Sequence, residues 1–228
     1  MSTGYALISF DLDGTLVDTA GEIAEAANRA LDSHGIARQP VDQITLLIGA
    51  GLHELMRRLL AHCDPEQRAP LPSVLRSVDQ HYAELLGTVA RPYRGCAEAL
   101  AALQGAGLRL ACVTNKNMRH TLRLLRVTKL IGYFDLVVGG ESLPEKKPHP
   151  SVLQHVARTL GVSLLRTAHV GDSAVDVAAA SNAGVAAWAV PYGYNAGLPI
   201  RDAAPDRLFD DLPAVAQHVI AARQLRPA

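Results

Sequence analysis

Short apolar runs and amphipathic stripes alternate along this chain in two different rhythms. The first run, Ala6-Leu7-Ile8, reads as a strand. Helical spacing follows at once: Ile23, Ala27, Ala30 and Leu31 recur on one face, and Gly35 supplies a C-terminal stop. Ahead of that stripe, Thr19-Ala20-Gly21-Glu22 has the spacing of a capping box, in which a Thr hydroxyl and a Glu carboxylate satisfy free N–H groups. Two further stripes, Leu52, Leu55, Met56, Leu59 and Leu60, then Val74, Leu75, Val78, Tyr82 and Leu85, are parted by a Pro-rich loop from Asp64 to Pro72. Residues 17–90 are therefore predicted to form a small helical module.

The rhythm changes near Arg91-Pro92-Tyr93-Arg94-Gly95. From there strands are predicted at 108–113, 136–138, 168–170, 185–190 and near 207–209, separated by helices at 96–104, 118–126, 151–160, 173–183 and 212–222. Strand and helix in alternation imply a parallel sheet covered on both faces. The expected fold is α/β, a Rossmann-like parallel sheet with helices on both faces. Residues 1–16 and 91–228 form its discontinuous core, and 17–90 are an insertion after the first strand.

Composition narrows the function classes. In 228 residues, 22 Lys and Arg balance 22 Asp and Glu without a long run of either sign, so neither a nucleic acid nor a membrane surface is an expected partner. Cys63, Cys96 and Cys112 are odd in number and lack CxxC spacing, which argues for reduced thiols rather than disulfides or zinc. No basic region followed by a long apolar stretch opens the sequence, and no run approaches the ~20 apolar residues of a membrane span. A cytoplasmic protein, monomeric or homodimeric, is expected.

Candidate chemistry gathers at predicted strand ends. Asp11 and Asp13 follow the first strand, Thr114-Asn115-Lys116 follows Val113, and Gly171-Asp172-Ser173 follows Val170. Strand ends of a parallel sheet point the same way, so these groups can face one crevice with the segment Lys146-Lys147-Pro148-His149-Pro150. A carboxylate nucleophile, a second carboxyl, a hydroxyl, a cation and a further carboxylate meet the needs of phosphoryl transfer with bound Mg²⁺. Lys147, stiffened by the adjacent proline, is favoured over Lys146 as the inward lysine. Ser173 and Asp176 fit a helix cap, leaving Asp176 divided between structure and support of the site. His169, inside an apolar strand, reads as a satisfied core residue. Two other readings fit less well. A calcium loop starting at Asp11 needs Gly where Leu16 stands, and a dinucleotide loop at Gly49-Ala50-Gly51 meets Glu54 at its third Gly position.

Taken in order, Asp11-Leu12-Asp13-Gly14-Thr15, Thr114, Lys147-Pro148-His149-Pro150 and Gly171-Asp172-Ser173-Ala174-Val175-Asp176 resemble the four motifs of the haloacid dehalogenase-like (HAD) hydrolases over nearly the whole chain. The helical insertion looks like the subclass I cap of that superfamily. Thr114-Asn115-Lys116, Lys146 to Pro150 and Pro191-Tyr192-Gly193-Tyr194-Asn195 are similar to bacterial phosphoglycolate phosphatases. Val175 departs from that group's usual Asn, and Arg126-Val127-Thr128-Lys129-Leu130 from its glycine-containing helix end.

The resemblance implies a nucleophile at Asp11, a proton shuttle at Asp13, and Mg²⁺ held by Asp11, Asp172 and the Asp13 backbone carbonyl. It further implies phosphate contacts from Thr114 and the Asn115 backbone, charge compensation by Lys147, and support from Ser173 and Asp176. Gly49 and Gly51 would meet the substrate from the cap. An acid at Asp13 favours ester cleavage over halide displacement, which needs no protonation. A small phosphorylated metabolite is the expected substrate, 2-phosphoglycolate first, with another sugar or amino-sugar phosphate, or a mutase of the same fold, as alternatives. A signalling receiver domain and a phosphate-binding scaffold are the readings from other classes.

Overall fold

The computed structural model describes residues 4–66 and 68–224. In chain order the elements are β1 (Leu7–Phe10), β2 (Val17–Asp18), α1 (Ala20–Asp32), α2 (Val41–Thr45), α3 (Leu52–Cys63), α4 (Leu71–Leu85), β3 (Arg91–Pro92), α5 (Cys96–Gly105), β4 (Arg109–Val113), α6 (Met118–Val127), β5 (Leu136–Val138), α7 (Ser151–Thr159), β6 (Thr167–Gly171), α8 (Ala174–Ala183), β7 (Ala186–Ala189), β8 (Arg207–Leu208) and α9 (Leu212–Gln224). The main sheet runs β5-β4-β1-β6-β7-β8, and each pairing is parallel. β1 lies between β4 and β6, with Phe10 level with Cys112 and Val170.

Alternation along β1 divides the core into two layers. Ile8 and Phe10 pack with Leu100, Leu103, Val215 and Val219 of α5 and α9, whereas Leu7 packs with Val152, Leu153, Val177 and Ala180 of α7 and α8. Each buried Leu, Ile or Val contributes roughly 1.5–3 kcal/mol. Chain order turns back at β1, since β4 and β5 lie on one side and β6 to β8 on the other. That reversal opens a crevice at the C-terminal strand ends, where open α/β sheets bind their ligands.

Between β1 and β4 stands the helical insert. α1 packs on α2 and α4, and α3 on α4, around Ala27, Leu31, Ile44, Met56, Leu59, Val74 and Val78. The chain leaves along β2 and returns along β3, which pair antiparallel, Val17 opposite Pro92 and Asp18 opposite Arg91. α2 is absent from the sequence-based expectation, because five residues are too few to display a helical period.

The capping box expected at Thr19 and Glu22 does not form. The Thr19 side chain makes no cap hydrogen bond. Its hydroxyl donates instead to Asp13 Oδ1 at 2.8 Å. Glu22 is buried and accepts the backbone N–H groups of Gly87 at 3.0 Å and of Val89 and Ala90 at 2.8 Å. A buried carboxylate needs donors, and amides of the returning segment supply them. The spacing read as a local cap therefore ties the start of the insert to its end. At the close of α6, Lys129 takes a left-handed φ of 61°, a conformation that glycine adopts without strain.

Candidate active site

Adjacent strands bring three chemical groups together. β1, β4 and β6 end side by side, so Asp11, Thr114 and Asp172 follow their last residues at one edge of the sheet. Lys147 arrives from the segment between β5 and α7, and its Nζ lies 2.7 Å from Val113 O, 2.6 Å from Asp176 Oδ1 and 2.8 Å from Asp11 Oδ1. The neighbouring Lys146 is exposed. Burial opposes the Lys147 charge, but Asp11 and Asp176 more than offset it and raise the ammonium's pKa above its ordinary value.

Asp176, one turn into α8, accepts from Lys147 and, on Oδ2, from Ser173 N–H at 3.2 Å and Ser173 Oγ at 2.5 Å. His169 Nε2 stands 3.2 Å from Asp176 Oδ1, and Ser9 Oγ 2.9 Å from His169 Nδ1, so His169 is a buried and satisfied residue, as expected. Asp176 thus serves both roles that the sequence left open. It anchors the first turn of α8 and holds Lys147. Burial works against the Asp176 charge, yet Lys147 and His169 keep its carboxyl well below the usual carboxylate range.

The other two carboxylates are poorly compensated. Burial pushes Asp11 up against the pull of Lys147, and burial together with Asp176 and Asp11 pushes Asp172 up. Asp11 Oδ1 lies within ion-pair distance of Lys147 but off the hydrogen-bonding direction, so this buried oxygen lacks a hydrogen-bond donor. Asp172 accepts Thr15 Oγ1 and Tyr194 N–H at 2.7 and 2.8 Å. One oxygen from each of Asp11, Asp172 and Asp176 falls within 4.8 Å of the others. Hard oxygen donors, excess negative charge and an orphaned carboxylate oxygen fit a divalent cation, with Asp11 and Asp172 the less encumbered pair. Gly14 makes this packing possible: its φ is +87°, and a Cβ there would lie 2.4 Å from Asp172 Oδ2.

The Asp13 carboxylate turns away from that trio. Lys116 Nζ donates to both its oxygens, at 2.9 and 3.0 Å, and to the Tyr82 hydroxyl of α4 at 2.5 Å. Asn115 spends its side chain on structure. Its Nδ2 donates to Gly49 O and Lys147 O at 3.1 and 3.0 Å, and its Oδ1 accepts the Lys147 N–H at 3.1 Å. Gly51 packs against the same residue, since a Cβ there would lie 2.9 Å from Asn115 O. Gly49, Gly51 and Tyr82 of the insert close with Asp11, Asp13 and Thr114 around a cavity of about 450 Å³.

Read from the sequence, Lys116 follows Thr114-Asn115, Tyr82 belongs to a helical stripe and Tyr194 to the segment 191–195, and none of the three has a role in the site. For Lys116, adjacency to Thr114 was the available signal. Tyr194 reaches the site through tertiary contacts. Its N–H holds Asp172, and its hydroxyl accepts the Thr19 N–H at 2.8 Å while donating to Asp18 Oδ1 at 2.6 Å. Asp172 is thereby joined to the first linker of the insert.

A buried carboxylate in a cation-ready pair, with a second acid and a buried ammonium beside it, has the parts for phosphoryl transfer through a covalent acyl-phosphate intermediate. The family described as haloacid dehalogenase-like hydrolase matches residues 8–190. The chain belongs to that family and is a hydrolase similar to the phosphoglycolate phosphatases. It is 41% identical over 207 residues to the phosphoglycolate phosphatase of Nitrosospira multiformis, covering 90% of this chain and 91% of the relative. A plasmid phosphoglycolate phosphatase of Cupriavidus necator is 40% identical over 222 residues, covering 97% and 95%. Among solved structures, a predicted phosphoglycolate phosphatase from Haemophilus somnus superposes with a TM-score of 0.90 at 32% identity, covering 96% and 99%. CbbY from Rhodobacter sphaeroides in complex with phosphate gives a TM-score of 0.79 at 27% identity, covering 92% and 96%. Among the described residues no helix is long and apolar enough to cross a membrane.

Proposed function

We propose that this chain is a Mg²⁺-dependent phosphomonoesterase that hydrolyses 2-phosphoglycolate to glycolate and phosphate through an aspartyl-phosphate on Asp11. The observation that supports the reading is the buried pair Asp11 and Asp172, short of compensating positive charge, with the Lys147 ammonium 2.8 Å from Asp11. Asp11 attacks phosphorus, and Asp13 protonates the leaving alkoxide, then takes a proton from the water that cleaves the phosphoenzyme. The Thr114 hydroxyl and the Asn115 backbone hold phosphoryl oxygens, while Lys147 offsets the charge gathered on Asp11 and the phosphate. Asp11, Asp172 and the Asp13 carbonyl would hold Mg²⁺, which when bound supplies positive charge at the phosphoryl oxygens. Residues 17–90 act as a cap over a core of residues 1–16 and 91–228, and its Gly49 and Gly51 edge excludes water during attack. Relatives named phosphoglycolate phosphatase along nearly the full length support the choice of ester.

A screen of phosphate release across 2-phosphoglycolate, sugar phosphates, nucleotides and pyrophosphate tests the assignment. The highest kcat/KM is expected for 2-phosphoglycolate, with steady multiple turnover. A sugar phosphate favoured by tenfold or more would overturn the substrate, and stoichiometric labelling without turnover would overturn the enzyme. Metal removal gives an independent check. EDTA is expected to stop release, and added Mg²⁺ to restore it where Ca²⁺ does not, because Ca²⁺ takes more ligands at longer distances. Full activity after exhaustive chelation would contradict the role given to Asp11 and Asp172.

A further inference from the structure

Lys116 is a buried cation at the reacting end of the cavity that the proposed reaction leaves without a task. Its ammonium bridges the core and the insert. Asp13 Oδ1 and Oδ2 lie 2.9 and 3.0 Å away on one side, the Tyr82 hydroxyl 2.5 Å away on the other, and the Tyr82 ring centroid at 4.5 Å. Lys116, Tyr82 and Asp13 all line the cavity that contains Asp11. Lys116 is buried, with the Asp13 carboxylate and the Tyr82 hydroxyl against its ammonium. His120 stands edge-on to Tyr82 at 5.0 Å, and burial pushes its pKa down to about 4, so it adds no positive charge at neutral pH. Arg57 and Lys146 also line the cavity but are exposed.

We propose that Lys116, with the Tyr82 hydroxyl, recognises a substrate carboxylate that lies one methylene beyond the ester oxygen. This assignment rests on the phosphoglycolate reading and extends it to the groups that choose the ester. The argument is stereochemical. In the proposed reaction Asp13 serves the ester oxygen, so whatever binds the adjacent carboxylate must sit close to Asp13. Lys116 is in hydrogen-bond contact with Asp13, and Tyr82 is one further hydrogen bond away. An ammonium and a phenol O–H are both donors to a carboxylate. The three N–H groups of Lys116 reach both Asp13 oxygens and the Tyr82 oxygen, so a bound carboxylate takes over one of the two N–H groups now given to Asp13 and accepts the Tyr82 O–H. The bulkier leaving group of a sugar phosphate would put carbons and hydroxyls where the charge of Lys116 expects an anion. Tyr82 comes from α4, so the complete pair exists only with the insert seated on the core.

The test compares kcat/KM for 2-phosphoglycolate with that for ethyl phosphate, which lacks the carboxylate, in the wild type, Lys116→Met and Tyr82→Phe. Lys116→Met is expected to lower the ratio about 10- to 100-fold, chiefly through KM for the carboxylate substrate, and Tyr82→Phe to lower it about threefold. Equal losses on both substrates would show that Lys116 acts on Asp13 alone and would overturn the assignment. A larger fall in the ratio for Arg57→Gln would transfer the role to Arg57. Should Lys116→Met fail to fold, the wild type still decides: glycolate must inhibit ethyl phosphate hydrolysis at least tenfold more strongly than ethylene glycol does. Comparable inhibition by the two would overturn it. A wild type that prefers a carboxylate-free sugar phosphate overturns the substrate reading and this inference together, whereas an unchanged ratio in Lys116→Met overturns the inference alone.

Discussion

Asp11→Asn is expected to lower kcat for phosphate release by more than about 10⁴-fold while leaving the fold intact. An amide keeps the size of the side chain but cannot form the phosphoenzyme. Stability should not suffer, for a reason visible in the charges. Asp11 and Asp176 share one ammonium, Lys147, and burial already disfavours ionised Asp11. Removing the Asp11 charge leaves Lys147 and Asp176 as a matched pair at 2.6 Å. The thermal midpoint of the variant should therefore equal or exceed that of the wild type. Single-turnover phosphate release and a melting curve check both halves, and kcat within tenfold of wild type would end the nucleophile assignment.

Lys147→Met should produce the opposite pairing of effects, a large loss of stability together with a loss of activity. Lys147 Nζ meets Val113 O, Asp176 Oδ1 and Asp11 Oδ1, all buried. Its removal strands two carboxylates without their cation, and breaking a buried ion pair from one side costs about 3–5 kcal/mol. At roughly 2–4 °C per kcal/mol for a chain of this size, the melting temperature should fall by several degrees or more. kcat should drop by about 10²- to 10³-fold, since the compensating charge beside the nucleophile is gone. Lys147→Arg should not rescue it, because a planar guanidinium cannot occupy the same three-acceptor site. A thermodynamic cycle sharpens the claim: adding Asp11→Asn to Lys147→Met should recover part of the lost stability, because it deletes one of the two stranded charges. Strict additivity of the two changes would contradict the shared-ammonium picture.

Much of the fold was legible because it is written in local periodicity. The strand expected at 136–138 is β5, and the helix expected at 118–126 is α6 with one residue more. Where the reading failed, a local rule met a nonlocal partner. Thr19 and Glu22 have capping-box spacing, yet Glu22 finds better donors in the Gly87, Val89 and Ala90 amides. A carboxylate buried beneath the returning linker gains more from its three amides than from one exposed helix end.

The site divides in the same way. The residue types at Asp11, Asp13, Thr114, Lys147 and Asp172 pointed to phosphoryl chemistry, because strand-end position in a parallel sheet follows from order along the chain. Which oxygen faces which donor did not follow. Asp176 is divided between cap and support in the sequence, and only packing of α8 against the Lys147 segment makes it both. The Asn115 backbone reads as a phosphate contact by position, while the task of its side chain, on the Lys147 backbone and the Gly49 carbonyl, came only from the structure. Lys116 and Tyr82 are 34 residues apart and belong to different layers of the molecule.

The sequence by itself determined the alternation of strands and helices, the insertion after the first strand, and the set of acids and cations at the strand ends. These depend on hydrophobic period and on residue type, which are local properties. Tertiary structure alone decided how the charges are shared: Lys147 between Asp11 and Asp176, Lys116 between Asp13 and Tyr82, and Glu22 across the two linkers of the insert. Electrostatic partnership at low dielectric is set by distances of a few ångströms between segments far apart in sequence, and no period along the chain records them.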